Sequence, residues 1–405
     1  MGDLYVIRRA EWVSSLWKES VNSSSTKLHS FAFDRLFGMP TQALTWYAED
    51  HSRFATKPHP NSRVRPNNRV DRITHQAPKE FLSGPASAPM SDRFTANIVE
   101  RFSQLKMDNE WTKITDLLEF FQVEMIPANL EAMYGPAMLA QHPEFCHDFW
   151  LFNSSPSFSR RFPRWMIPKA YAARERLLGS IKHRQKYIAS HNISMEEGPG
   201  CDSDVYWSPS TIKKWHDRFL RMDGFDDDAV ASLYLGIIWA SNANIVPAVF
   251  WMVLELYRCP SLLSKIRLLI AECSSHSFRH AIFSGPQSPQ PNEIAKIPLL
   301  QSVFADAPSA GSRLRHASLR AQVCDETVWN TRAGEHPLDS FWAERFLIYP
   351  TDPRSGPVKR LGQQERSAGK IQASQVDGDA GSSKTERYVS FDGLAGFWIP
   401  FGGGL

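Results

Sequence analysis

Two stretches of this sequence hold residues in an order that could do chemistry. The first is the apolar run Leu233–Glu255, interrupted near its middle by Ser241, Asn242, Asn244 and Pro247. Pro247 has no N–H to give the carbonyl four residues back, so the backbone near Ala243 is freed. Asparagine side chains and water can satisfy or line such an opening. A gap of this kind over a cofactor is what oxygen activation needs; a kink used only for packing fits the same residues. The second stretch is Phe401-Gly402-Gly403-Gly404, whose glycines let the backbone approach a bound group with no Cβ in the way. His142 and Cys146, four apart, could share a helix face and hold a metal, but no second pair accompanies them and closed sites take about four ligands. There is no Gly-x-Ser-x-Gly and no Walker loop, and the glycine run has no helix after it to present amides to a phosphate.

The elements that must position these residues are mostly helical. Asp92 to Trp150 carries apolar residues at helical spacing, including Leu117, Leu118, Phe120, Phe121 and Met125, with the pattern resuming from Asn129 to Leu139. A turn followed by a basic amphipathic helix is expected over Pro163–Ala189, and helices over Ser210–Arg221, Pro260–Glu272 and Pro298–Ala305. Asp226-Asp227-Asp228 supplies acidic charge for the start of a long helix from Ala229 to Tyr257. That run is long enough to cross a bilayer, but its central polar groups would be costly there, which favours a buried helix of a large soluble domain. Residues Arg53 to Met90, rich in Pro, Ser, Asn and Arg, read as a loop. Arg63, Arg65, Arg69 and Arg72 make it basic, either as a solvated surface or for contact with an anionic partner such as a heme propionate or a reductase.

Composition bounds the reading. Hydrophobic residues make up 42% of the 405 positions, enough for a sizeable core, and the net charge of +3 gives no reason to expect nucleic acid. Cys146, Cys201, Cys259, Cys273 and Cys324 are scattered without paired spacing, as in a reducing compartment.

The run Trp239-Ala240-Ser241-Asn242-Ala243-Asn244-Ile245-Val246-Pro247-Ala248-Val249-Phe250-Trp251 resembles the distal helix of cytochromes P450 related to sterol 7α-hydroxylase and prostacyclin synthase, a form common among fungal secondary-metabolism enzymes. Phe401 to Gly404, after Phe397-Trp398-Ile399-Pro400, resembles the opening of that family's heme-binding loop, which runs on to a cysteine whose thiolate ligates the iron. Pro163–Arg174 is similar to the turn into the family's substrate-lid helix. Pro298–Asp306 is similar to the start of the helix bearing its Glu-x-x-Arg motif, and Phe341–Phe346 to its Pro-Glu-Arg-Phe element, with Arg345 at the arginine.

The resemblance implies a mainly α fold with a small β region, the cytochrome P450 fold, incomplete around the heme-binding loop. It implies a single domain over 1–405, with 351–388 as a flexible insertion. It also implies a heme-thiolate monooxygenase of terpenoid or polyketide biosynthesis, fed by NADPH-cytochrome P450 reductase and acting on a hydrophobic small molecule. In that reading Ala243 and Asn244 flank the oxygen site, Arg345 is a structural ion-pair residue, and Phe401, Gly402, Gly403 and Gly404 approach the proximal face of the heme. The family's location is the endoplasmic reticulum membrane.

Departures from the pattern carry expectations of their own. Asp306 falls near the family's glutamate, and Pro308 and Gly311 are expected to end the helix there, leaving Arg345 without its partners. Residues 314–337 do not follow the family, as a mistaken splice or frameshift would leave them. The N-terminal membrane helix and the ligating cysteine have no counterpart. The chain therefore reads as truncated at both ends, without an anchor and so possibly cytoplasmic, with doubtful heme binding and no axial metal ligand, and inactive as written. Two other readings stay open: a non-catalytic pseudoenzyme that binds a hydrophobic ligand or a partner, and a membrane or helical scaffold protein built on the central apolar helix.

Overall fold

A computed structural model describes residues 9–18, 26–52, 54–82, 84, 87–105, 112–154, 164–191, 206–207, 210–280, 291–311, 328–338, 340–359 and 387–394. The elements run in the order α1 (Ala10–Lys18), α2 (Thr26–Ala32), a π-turn (Phe33–Phe37), α3 (Thr41–Glu49), a 3-10 turn (Pro66–Asn68), α4 (Val70–Leu82), α5 (Ser87–Ser103), α6 (Leu117–Tyr134), α7 (Ala137–Gln141), α8 (Phe145–Ser154), α9 (Pro168–Ser190), α10 (Ser210–Leu220) and α11 (Asp227–Asn242). Then follow α12 (Ile245–Arg258), α13 (Pro260–His280), α14 (Pro291–Ile294), α15 (Pro298–Gly311), β1 (Leu347–Ile348) and β2 (Tyr388–Val389). The fold is mainly α with a small β region, as expected. The chain divides into two compact units, one of Ser23–Val246 and one of Met1–Asn22 with Pro247–Leu405.

In the 23–246 unit, α9 packs against α8 and α11, and α6 against α5. Ile126, Leu130, Phe149, Leu177, Leu233 and Leu235 are among its buried apolar side chains. The acidic run read from the sequence does start α11. Asp226 is its N-cap, accepting from Ala229 N–H at 2.9 Å, and Asp227 and Asp228 lie in its first turn, where their charge favours the dipole. Helix α6 continues through Pro127. Proline cannot donate to the Val123 carbonyl four residues back; Arg101 Nη2 of α5 donates to it instead, at 3.2 Å, while Arg101 Nε holds Glu124 at 2.9 Å. Gly135, at φ 79°, ends α6, so the run expected from Asn129 to Leu139 is two helices.

The expected loop over Arg53–Met90 is corrected by α4 and the start of α5. Val70, Ile73 and Ala77 are buried at helical spacing, and that apolar stripe outweighs the Pro/Ser/Arg composition around it. Of the basic run, Arg63 and Arg65 are exposed, as a solvated surface would have them, and Arg69 is the member that departs from that reading. Arg69 is buried, lies 3.5 Å from Asp50, and donates to the carbonyls of Ala55 (2.7 Å) and Thr56 (3.3 Å). Its fork is committed to the fold rather than offered to solvent or to a propionate. Arg72 joins it on Ala55 at 2.9 Å.

In the other unit, Leu256, Leu262, Ile266, Leu299, Val303 and Leu347 form one apolar cluster, and Ala305, Trp329, Leu338, Phe346 and Leu394 another. Strands β1 and β2 pair antiparallel, Leu347 with Val389 and Ile348 with Tyr388. The stretch 351–388, expected as a flexible insertion, begins within ordered structure. Asn330 Nδ2 donates to the Arg354 and Gly356 carbonyls at 2.6 and 2.8 Å, and Trp329 bridges Val358. Gly356 sits at φ 90°, a backbone conformation that favours glycine, and a Cβ there would come within 2.6 Å of Ile348 Cδ1 and force that side chain to shift. Residues 360–386 lie outside the described residues.

Candidate functional site

The long apolar run folds as two helices rather than the one expected. Helix α11 stops at Asn242, residues 243 and 244 make a turn, and α12 starts at Ile245. Two causes coincide. Pro247, in the first turn of α12, has no N–H for the Ala243 carbonyl. Upstream, the Ser241 hydroxyl at 3.1 Å and the Asn242 side-chain amide at 2.8 Å both donate back to the Ile238 carbonyl. Such back-bonding competes with the helical ladder and bends it.

Asn242 is buried, and its Oδ1 accepts from Asn129 Nδ2 of α6 at 2.9 Å. Nearby, Trp239 Nε1 donates to Asn153 Oδ1 of α8 at 3.0 Å. Of the two asparagines expected to line the opening, Asn242 is therefore committed to an amide clamp, while Asn244 is exposed and Ala243 half-buried. Nothing in the sequence marks Asn129 as the partner beyond its being an amide on a largely apolar helix. Asn129→Leu is expected to leave Asn242 Oδ1 buried without its donor, at about 1–3 kcal/mol. The check is the denaturant midpoint, and an unchanged midpoint would remove the clamp from the account. The segment Asp227–Arg258 is long and apolar enough to cross a membrane by length and composition, yet α11 is buried along Leu233, Tyr234, Leu235 and Ile238.

The second expected site residue is Arg345, and here the structure reverses an expectation. Helix α15 runs through Pro308 to Gly311 instead of ending at the proline; near a helix end the missing N–H costs one bond and the helix survives it. Arg345 does have partners. Its Nε donates to Asp306 Oδ1 at 2.8 Å, Nη1 to the His336 carbonyl at 3.3 Å, and Nη2 to the Pro337 and Ser340 carbonyls at 3.2 and 2.6 Å. The other carboxylate oxygen, Asp306 Oδ2, accepts from Trp342 N–H at 2.7 Å. The two side chains are 1% and 2% exposed. Ser302 of the same helix accepts from Phe346 N–H at 3.1 Å. Helix α15 thus holds the 341–346 turn by a buried charge pair and two backbone contacts.

The other candidates divide. Phe401, Gly402, Gly403 and Gly404 lie outside the described residues, as do Cys201 and Cys324. Among the described cysteines none fits an axial thiolate. Burial pushes the Cys146 thiol up to about 12. Cys259 precedes α13 with Sγ 3.4 Å from the Ser261 hydroxyl, which lowers its pKa, but no glycine-rich loop surrounds it. Cys273 packs on α13 beside the first apolar cluster. His142 does not team with Cys146; its Nε2 lies 3.1 Å from His183 Nδ1. Among the described residues no three His, Cys, Asp or Glu side chains gather where they could hold a metal ion. The turn before α9, similar in sequence to a lid entry, leaves Trp165 78% exposed.

No family model matches the chain. Comparison with curated proteins finds the cytochrome P450 monooxygenase fsoE of Humicola fuscoatra, 32% identical over 374 residues, which are 83% of this chain and 60% of that protein. The cytochrome P450 monooxygenase efuG of Hormonema carpetanum is 27% identical over 99% of this chain and 71% of its own length. Cytochrome P450 7A1 of Rattus norvegicus is 24% identical over 62% of this chain and 44% of its own. The chain spans 60% of the length of the first of these relatives.

Proposed function

The chain belongs to the cytochrome P450 superfamily, and from that membership we propose that the protein is a P450-type monooxygenase of fungal secondary metabolism. Its substrate would be a hydrophobic small molecule of the terpenoid or polyketide kind, its electron donor NADPH-cytochrome P450 reductase, and its location the endoplasmic reticulum membrane. The observation that carries the reading is the buried Asp306–Arg345 pair. It joins the helix similar to the family's Glu-x-x-Arg helix to the element similar to Pro-Glu-Arg-Phe, which is the contact the resemblance calls for. The helix break at 243–244 supports it, since it falls at the oxygen-site residues of the resemblance.

Heme would supply oxygen activation in such an enzyme. The described residues do not fit it by themselves, for want of a suitable thiolate. What the described residues do is structural. Asn129 and Asn242 hold one side of the helix opening, and Asp306 and Arg345 fix the turn at 341–346.

Sequencing the full-length transcript across both ends and through Asp306 to Arg345 comes first, followed by expression of its product. That product is expected to take up heme and give the ferrous–carbon monoxide band of a thiolate-ligated iron. Residues 1–405 alone are expected to lack the band. A full-length product that folds and takes up no heme would overturn the reading, and favour a non-catalytic ligand-binding or scaffold role.

A further inference from the structure

His142 caps the C-terminus of the short helix α7, and His183 lies well inside the 23-residue helix α9. Neither element belongs to the helix break or to the Asp306–Arg345 contact. His142 Nε2 and His183 Nδ1 are 3.1 Å apart, with ring centroids at 5.0 Å. Two imidazoles this close share at most one proton well, because a second would set two like charges side by side. Burial and the neighbouring His183 both lower the His142 pKa.

Two imidazole nitrogens at this separation also have the bite of a metal chelate. With metal–nitrogen bonds of about 2.0–2.1 Å, two ligands on one ion stand about 2.9 Å apart at a right angle and about 3.3 Å apart at the tetrahedral angle. The observed 3.1 Å falls between these. We propose that His142 and His183 form a two-histidine clamp for a late first-row divalent cation, with water in the remaining coordination positions. Imidazole suits zinc, nickel and copper, and the site should follow the general order in which manganese binds weakest. His183 sits within a helix and His142 directly after one, so little rearrangement is needed beyond rotation of the rings. Bound metal would tie residues 41 apart in sequence and so favour the folded 23–246 unit. Because protons compete for the same lone pairs, binding should weaken as pH falls.

The test is titration of the metal-stripped full chain with zinc chloride and nickel chloride at neutral pH, followed by calorimetry and by thermal melting. The controls are His142→Ala, His183→Ala, the double variant, and His191→Ala, which removes an exposed histidine at the end of α9. One equivalent of metal is expected to bind the wild type and the His191→Ala variant and to raise the melting temperature, reversibly with a chelator. Either clamp variant should bind that equivalent at least about tenfold more weakly, a loss that removing even an outer partner of a metal ligand can cause. The double variant should be no worse than the singles, since one missing ligand already opens the chelate. Should His142→Ala bind zinc and nickel as tightly as the wild type, or should manganese bind as well as nickel, the clamp is wrong and the two rings are a hydrogen-bonded pair only. His142→Gln, which keeps a polar side chain, separates loss of the metal ligand from loss of folding.

Discussion

Asp306→Ala is expected to destabilise the 247–405 unit by about 3–5 kcal/mol, the range for breaking a buried ion pair by removing one partner. The size follows from what the carboxylate does. It neutralises a guanidinium that is 1% exposed, and it accepts the Trp342 N–H as well. Alanine would leave both donors in a dry interior with no water to turn to. Arg345→Met should cost at least as much. It strands the Asp306 charge, and it also takes a donor from the carbonyls of His336, Pro337 and Ser340. For the same reason, replacing the pair by two apolar residues should not rescue stability here as it does for simpler buried pairs. Asp306→Glu tests the fit in the other direction. One methylene added to a side chain 2% exposed should cost about 1–3 kcal/mol through overpacking. Chemical unfolding, with amide exchange read at residues 341–348, measures each effect. A loss below about 1 kcal/mol for Asp306→Ala would mean that the pair is far more hydrated than its burial implies.

How much of this was legible in the sequence depends on the range of the interaction. The start of α11 was legible, because an N-cap and first-turn acids act within one turn. The opening near Ala243 was legible too, since proline's missing donor acts on a carbonyl at fixed spacing. The partner of Arg345 was misjudged for a local reason. Pro308 and Gly311 weaken a helix, but Asp306 is held from outside it, by contacts 36 and 39 residues away. Composition misled over Arg53–Met90, where three well-spaced apolar residues decide the helix and several of the polar ones, Asn68, Arg69 and Asp71 among them, are buried with it. Two contacts could not be read at all. Asn129 and Asn242 are 113 residues apart, and His142 and His183 are 41 apart. Their meeting is set by how α6 packs beside α11 and how α7 turns toward α9. Relatives named as cytochrome P450 monooxygenases match over most of the chain, while residues 401–404, expected at a heme, lie outside the described residues.

The 23–246 unit should lose stability on acidification through His216, and His216→Phe should remove that loss. His216 lies on α10 between Trp207, at 5.1 Å between ring centroids, and Tyr234, at 6.0 Å. Its Nδ1 is buried without a partner. Burial, and then the Arg184 guanidinium, push its pKa down to about 4, with Lys213 acting the same way and Asp217 and Asp227 opposing. An unfolded histidine titrates near 6.5. Between those values the unfolded chain binds the extra proton and the folded chain does not, so folding weakens as pH falls. The stability is fully present above about pH 6.5 and is lost as pH drops through about 4. A shift of this size corresponds to about 3 kcal/mol. Phenylalanine keeps an aromatic ring against Trp207 and Tyr234 but cannot be protonated, and it relieves the orphaned nitrogen, so the variant should equal or exceed the wild type at neutral pH. Denaturant midpoints at pH 7, 5.5 and 4 would then diverge, with the wild type falling more steeply. Parallel acid slopes for the two proteins would mean that His216 is already hydrated in the folded state, and that acid sensitivity arises at other groups such as His75 or His142, whose pKa values are also lowered.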